Sequence, residues 1–241
     1  MIERTEHTLT FPHLPEALQG LRIVQLSDIH RSRLTPDSLI RQAVEVANRA
    51  CPDLIVLTGD YVTDQQTDIE PCASLLASLS APLGVYAILG NHDHIAGAQI
   101  VARALRRIGA RVLINESVLL SNGLRIVGIE DDQPHRWNLH RAFAHCRTGE
   151  PTLVLAHNPS QVDQFPEKEC YVLSGHTHGG QIHVPVLTAQ KVRAIGSAHY
   201  RAGWYTVGRA RLYVHRGLGC VGLRLRFRAV PEVAVFTLAA S

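Results

Sequence analysis

Residues 21–30 read LRIVQLSDIH and residues 54–60 read LIVLTGD. In each, a short apolar run gives way at once to metal-binding residue types. Runs of this kind, bounded by turn residues, are the pattern of strands buried on both faces. The device returns three more times. VYAIL (85–89) runs into Gly90-Asn91-His92-Asp93, TLVL (152–155) into Ala156-His157-Asn158, and YVL (171–173) into Ser174-Gly175-His176-Thr177-His178-Gly179-Gly180. In open α/β sheets, ligands bind beyond the carboxyl ends of the strands. Five such tips can therefore converge on one site.

Between the first strands lie segments of helical period. Over Pro36–Ala50 the residues Leu39, Ile40, Ala43, Val44 and Ala47 form one stripe, with Thr35 expected as N-cap and Pro36 at the first helical position. Glu70–Leu79 and Ala98–Ile108, the latter ended by Gly109, are the next helices. This half predicts β-α-β units with parallel strands. The second half is richer in hairpins. Ser117–Leu120 and Leu124–Ile129 flank the turn Ser121-Asn122-Gly123, and Trp204–Val207 and Arg211–His215 flank Gly208. A helix over Asn138–Cys146 and a last strand over Glu232–Leu238 complete the pattern. A mixed sheet or two packed sheets, covered by helices, fits both halves. Residues 1–241 are expected to form a single domain.

The chain has 241 residues, 46% of them apolar, which is enough to bury a full core. Its net charge of +3, from 24 basic and 21 acidic side chains, is too weak to argue for nucleic acid. The surplus is local, with many arginines and almost no acids from Arg201 through Arg228. The five cysteines form no C-x-x-C pair and are odd in number, so free thiols in a reducing compartment are expected. The first residues lack the basic-then-apolar order of a signal peptide, and no run approaches the ~20 apolar residues of a membrane span. A cytoplasmic protein is expected, with peripheral contact to the inner membrane left open. The 14 histidines are roughly twice the usual share, and histidine is the commonest metal ligand.

Seven residues at the strand tips are candidate ligands: Asp28, His30, Asp60, Asn91, His157, His176 and His178. Asp28 and His30, and likewise His176 and His178, stand at i and i+2, so extended backbone would send both side chains of a pair one way. Gly59, Gly90 and Gly175 precede ligands where the chain must turn sharply. Carboxylate, imidazole and amide oxygen together suit Mn, Fe, Zn or similar divalent ions. Seven ligands exceed the needs of one four-coordinate ion; two ions sharing a carboxylate would use them all.

The order D-x-H, G-D, G-N-H-D, a lone downstream His and G-H-x-H, from about Leu21 to Gln181, resembles the calcineurin-like metallophosphoesterases. The resemblance implies a mixed α/β fold, a β-sandwich flanked by helices in four αββα layers with the metal site at the C-terminal ends of strands. It implies two divalent ions (Mn, Fe, Zn or Co). The first would take Asp28, His30, Asp60 and His178; the second would take Asp60, Asn91, His157 and His176, with Asp60 bridging. His92 would lie beside the leaving group, making His92 and Asp60 the catalytic residues. GLRIVQLSDIH, PDLIVLTGDYV, GHTHGGQI and the tail LYVHRGLG…PEV are similar to one bacterial branch. That branch includes membrane-associated phosphodiesterases and UDP-2,3-diacylglucosamine pyrophosphatase. Two positions depart from it. Arg224 replaces the proline of a Pro-x-Arg whose arginine is Arg226, and Thr63 replaces an Asp often found three residues after the bridging Asp, with Asp64 one further on.

The activity these residues imply is hydrolysis of a phosphodiester, phosphomonoester or pyrophosphate by a hydroxide held between two ions about 3.5–4 Å apart, with phosphodiesters favoured. The expected partner is a small phosphate ester or a lipid-linked nucleotide. Gly179 and Gly180 are expected to bring backbone amides to the substrate, and Arg226, with Arg31, to meet distal phosphate. His94 and His183 are candidates to support the ligands. The Arg224–Arg228 run alternates charge with apolar groups, so a strand there would carry one basic face. The alternatives are a nuclease, which should show a basic groove or an added domain, a single-zinc hydrolase, a protein phosphatase, and a non-catalytic scaffold, which would have lost ligands.

Overall fold

The apolar runs form strands whose two faces serve two different cores, as a computed structural model of the chain shows over residues 1–131, 137–182 and 199–241. In chain order these residues form β1 (Glu3–Phe11), β2 (Arg22–Leu26), α1 (Asp37–Arg49), β3 (Leu54–Thr58), α2 (Ile69–Leu76), β4 (Val85–Ile88), α3 (Asn91–Arg107), β5 (Arg111–Val112), β6 (Glu116–Leu119) and β7 (Arg125–Gly128). They continue with α4 (Leu139–Phe143), β8 (Thr152–Leu155), β9 (Cys170–Ser174), β10 (Gly203–Val207), β11 (Ala210–Val214) and β12 (Glu232–Ala240).

Two six-stranded sheets result, ordered β1-β12-β2-β3-β4-β5 and β10-β11-β9-β8-β7-β6. Strands β2, β3 and β4 run parallel in the first, and β7, β8 and β9 run parallel in the second. Alternation along each strand sorts the side chains. Val24, Leu26, Ile55, Leu57 and Ala87 face a core shared with α1, α2 and α3. Ile23, Leu54, Val56 and Ile88 face the other sheet, meeting Ile126, Leu153, Leu155 and Leu173. A third core, on the outer face of the second sheet, includes Val127, Val154 and Val172 and packs against Leu139 and Phe143 of α4. The order of layers is helix, sheet, sheet, helix, the mixed α/β sandwich expected.

Four segments differ from expectation for local reasons. Strand β1 pairs in parallel with β12 over nine residues, from Glu3↔Glu232 to Phe11↔Ala240. Its residues ERTEHTLTF are mostly polar because one face of this edge strand meets solvent. Helix α3 begins at Asn91 rather than Ala98, and Gly97 (φ 123°) interrupts it, which is why its regular period starts only beyond that glycine. Pro36, not Thr35, is the N-cap of α1; the Thr35 hydroxyl instead accepts from the amide of Cys220 (3.1 Å). Residues 224–228 form no strand: only Phe227 bridges, to Ile182.

Candidate metal centre

Strands β2, β3, β4, β8 and β9 all end at one edge of the sandwich, and each delivers its ligand-type residues there. The two sheets are tied directly beneath. The Gln25 side chain, fully buried, donates to the Thr58 hydroxyl (2.9 Å) and to the Ser174 carbonyl across the sandwich (3.0 Å). The tips are then laced to one another. Asp28 N donates to Gly59 O and His30 N to Asp60 O, both at 3.0 Å, and His176 N donates to Asp28 Oδ1 at 2.8 Å.

The pairs Asp28/His30 and His176/His178 converge by a different route from the extended backbone expected. All four have positive φ, of 49°, 44°, 71° and 53°, and so does Asp60 at 57°. Left-handed backbone is uncommon outside glycine, although Asn, Asp and His tolerate it best. Five of the seven candidate ligands adopt it, and strained backbone of this kind clusters at functional sites.

The ligand atoms gather in three overlapping groups, Asp28/His30/His178, His30/Asp60/His92 and Asp60/His157/His176, each within 4.8 Å. Asp60 Oδ2 lies 3.1 Å from His157 Nε2 and 3.3 Å from His30 Nε2, and His178 Nε2 lies 3.4 Å from Asp28 Oδ1. The first two approaches are not hydrogen bonds. The Nε2 atoms of His30 and His157, Asp28 Oδ2 and Asn91 Oδ1 are all buried without a hydrogen-bond partner. Leaving such a group unpaired costs about 1–3 kcal/mol each, so four orphans in one place call for a further occupant. Divalent cations fit: the donors are carboxylate, imidazole and amide oxygen, and His157 is set as a ligand. Its Nδ1 donates to the Thr58 carbonyl at 2.7 Å, which directs the Nε2 lone pair inward.

Burial alone would raise the Asp60 carboxyl, but the rings of His157 and His30 outweigh it and hold Asp60 well below the usual carboxylate range. Burial likewise opposes charge on Asp28, where His178 and His157 win and lower it. Burial pushes His178 well below the ordinary imidazole value. Asp93 belongs to the GNHD motif, yet the spacing gives it no role. Burial, then the charge of Asp60, pushes it up to about 7. Its carboxylate accepts from the amides of Asp60 (2.8 Å), Tyr61 (2.9 Å) and Gly90 (2.9 Å), clasping the tips of β3 and β4. An acid at the third position of a helix that follows a turn is the available signal.

Asn91 and His92 open α3, and His92 lines a cavity of about 320 Å³ with Asp60, Asn91, His176, His178 and Val221. His92 N donates to Asp60 Oδ1 at 2.9 Å. Asp64 does not orient its ring; the Thr63 carbonyl does, at 2.7 Å from Nδ1, while the Thr63 hydroxyl lies 3.3 Å from His30 Nδ1.

The expected substrate contacts are differently placed. All five N–H donors of Arg226 are used: on the carbonyls of Gly219 (twice), Arg216 and Ala229, and on His178 Nδ1 at 3.1 Å. Arg226 therefore leaves no donor for a distal phosphate, and by donating to Nδ1 it holds a neutral His178 with its proton on Nε2, which an ion bound at Nε2 would have to displace. The Gly180 amide is taken by the Thr177 carbonyl (2.8 Å), and at Gly179 (φ 61°) a Cβ would come within 3.1 Å of the Arg216 side chain. Arg31 is paired with Asp37 (3.2 Å) and Asp68. His94 faces Glu130 at 3.9 Å. His183 lies outside the described residues.

Residues 21–180 match the family pattern of the calcineurin-like phosphoesterases. Over 246 residues the chain is 33% identical to YkuE of Bacillus subtilis, an uncharacterised metallophosphoesterase, covering 99% of this chain and 86% of that protein. It is 32% identical to the phosphodiesterase YaeI of Escherichia coli, covering 98% and 88%. It is 29% identical to LpxG of Chlamydia muridarum, a UDP-2,3-diacylglucosamine pyrophosphatase, covering 90% and 83%. Among solved structures, the sulfate thiohydrolase SoxB of Thermus thermophilus superposes with a TM-score of 0.53 at 12% identity, over 91% of this chain and 56% of that one, a likeness of fold alone.

Proposed function

The chain belongs to the calcineurin-like phosphoesterases, and from that premise we propose that it is a dinuclear-metal hydrolase of phosphodiesters. The observation that supports this most is the position of Asp60, shared by two of the three ligand groups and bordered by unpaired atoms on both sides. In this reading Asp28, His30, Asp60 and His178 hold one ion, and Asp60, Asn91, His157 and His176 hold the other.

Two divalent ions in these groups would neutralise phosphate oxygens and lower the pKa of a bound water toward neutrality. The chain's own residues prepare the ground. Asp60 and Asp28 stay ionised despite burial. The Thr58 and Thr63 carbonyls fix protons on Nδ1 of His157 and His92. His92, at the cavity wall, is left with Nε2 to meet the leaving oxygen, and as the imidazolium, with a second proton on Nε2, it would be the general acid. A pyrophosphate within a lipid-linked nucleotide is the second reading, favoured by the apolar side chains exposed just beyond Val221.

The test is turnover of bis-p-nitrophenyl phosphate beside p-nitrophenyl phosphate after chelation, with Mn, Co, Zn, Ni and Mg restored singly. Metal-restored turnover that favours the diester and vanishes in Asp60→Asn supports the proposal. One bound metal per chain, or undiminished activity in Asp60→Asn, overturns it.

A further inference from the structure

Between β11 and β12 the chain inverts the ordinary order of burial. Loops commonly expose arginine and bury leucine or phenylalanine. Here Arg226 turns inward, its donors used on three carbonyl oxygens and on His178, while Leu223, Leu225, Phe227 and Val230 are 62%, 55%, 50% and 40% exposed. These are four of the seven large apolar side chains exposed to this degree among the described residues. The loop is not loosely held. The Gln181 side chain donates to the carbonyls of Val221 and Leu223, each at 3.0 Å, and accepts from Val221 N at 2.9 Å. Phe227 N donates to Gln181 O at 2.9 Å. The backbone is fastened on its inner side, and the apolar side chains are held in water.

Within the loop itself the charges have one sign, although Glu45 and Arg41 of α1 line a surface pocket with Arg224. Residues 216–230 contain arginines at 216, 224, 226 and 228 and neither Asp nor Glu. Arg216 is paired with Glu3 and Glu232, whereas Arg224 and Arg228 are exposed among the apolar residues, with the Arg228 guanidinium 5.4 Å from the centre of the Phe227 ring. Val221, at the head of the same loop, lines the metal cavity beside His92 and His176.

We propose that this loop is a membrane-docking surface that seats the mouth of the metal cavity on a bilayer with anionic headgroups. A bilayer offers phosphate and acyl chain in successive layers, and the loop presents arginine and bulky apolar groups side by side. A protein partner would need acids interleaved with separate apolar pockets to match the same pattern. No helix among the described residues is long and apolar enough to cross a membrane, so contact through this loop would be from one side. Its use in catalysis rests on the hydrolase reading above; binding itself does not.

The experiment is sedimentation of the full chain with vesicles of phosphatidylcholine plus phosphatidylglycerol, and of phosphatidylcholine alone. Binding to the anionic vesicles is expected. Leu225→Ser with Phe227→Ser should weaken it about 100-fold, roughly tenfold for each side chain. Arg224→Gln with Arg228→Gln should weaken it and flatten its salt dependence. Bis-p-nitrophenyl phosphate turnover and the melting temperature should be unchanged in both variants. Wild-type protein that stays in the supernatant, or apolar variants that sediment like wild type, overturn the proposal. So does a wild-type dimer without vesicle binding that Leu225→Ser/Phe227→Ser dissolves, which would assign the face to a second copy of the chain. Vesicle binding without phosphate-ester turnover leaves the surface standing and sinks the hydrolase reading, whereas turnover without vesicle binding does the reverse.

Discussion

The ring of His92 donates from Nδ1 to the carbonyl oxygen of Thr63 at 2.7 Å. A carbonyl can only accept, so the proton stays on Nδ1 and Nε2 is the atom left to face the substrate in the proposed reaction, where it would act as an acid only in the doubly protonated ring. His92→Ala should lower kcat by about 10²–10⁴-fold, the range of a lost general acid, with two metals still bound. Thr63→Ala keeps that carbonyl and loses only the hydroxyl near His30 Nδ1 (3.3 Å). It should weaken metal binding roughly tenfold and leave kcat at saturating metal near wild type. Steady-state kinetics across a metal titration separate the two variants.

Gly90 has an ordinary φ of −102°, so alanine there meets no backbone penalty. A Cβ would nevertheless collide with the Asp60 carboxylate and press on the Asp60 backbone nitrogen, 2.8 Å away. Gly90→Ala should fold and lose bound metal together with activity, as elemental analysis of the purified protein would reveal. Full metal content in this variant would mean that Asp60 has room to retreat.

Arg226 ties three backbone carbonyls to His178. Arg226→Gln should release the carbonyls of Gly219, Arg216 and Ala229 and lower the melting temperature, since three buried carbonyls lose their donor. The substrate KM at saturating metal should change little, because no donor of Arg226 is directed to substrate. A large rise in KM with metal affinity intact would restore the phosphate-binding role.

Glu232 is fully buried at the end of the sandwich. Burial would raise its carboxyl, but His215, the Arg216 guanidinium and the Tyr213 hydroxyl outweigh it and pull it down to about 2. A depressed folded-state value stabilises the fold above the ordinary carboxylate pKa, and that stabilisation is lost as pH falls toward 2. The shift corresponds to about 3 kcal/mol. Glu232→Gln should therefore be less stable by about that much at neutral pH and lose less stability than wild type between about pH 5 and pH 2. Urea unfolding across that range measures it.

Much of the centre was legible because five apolar runs end in ligand-type residues, and parallel strands bring such ends together. What the letters hide is backbone. Nothing in Asp-Ile-His marks both ends as left-handed, and the orienting groups at His92 and His157 are carbonyls of Thr63 and Thr58, which any residue carries. The sequence offers Arg226 for a distal phosphate because only folding shows a loop closing its carbonyls around it. β1 leaves no such mark, because an edge strand buries too little to print an apolar run.

The five left-handed ligands limit how this centre can be rebuilt. A Cys at position 30 or a Glu at position 60 would be a competent donor, yet neither side chain favours that region of backbone as His and Asp do. Ligand exchange is thus filtered twice, by affinity and by conformation. Metal preference can be retuned more freely through neighbours such as Thr63 and Arg226 than through the donors themselves.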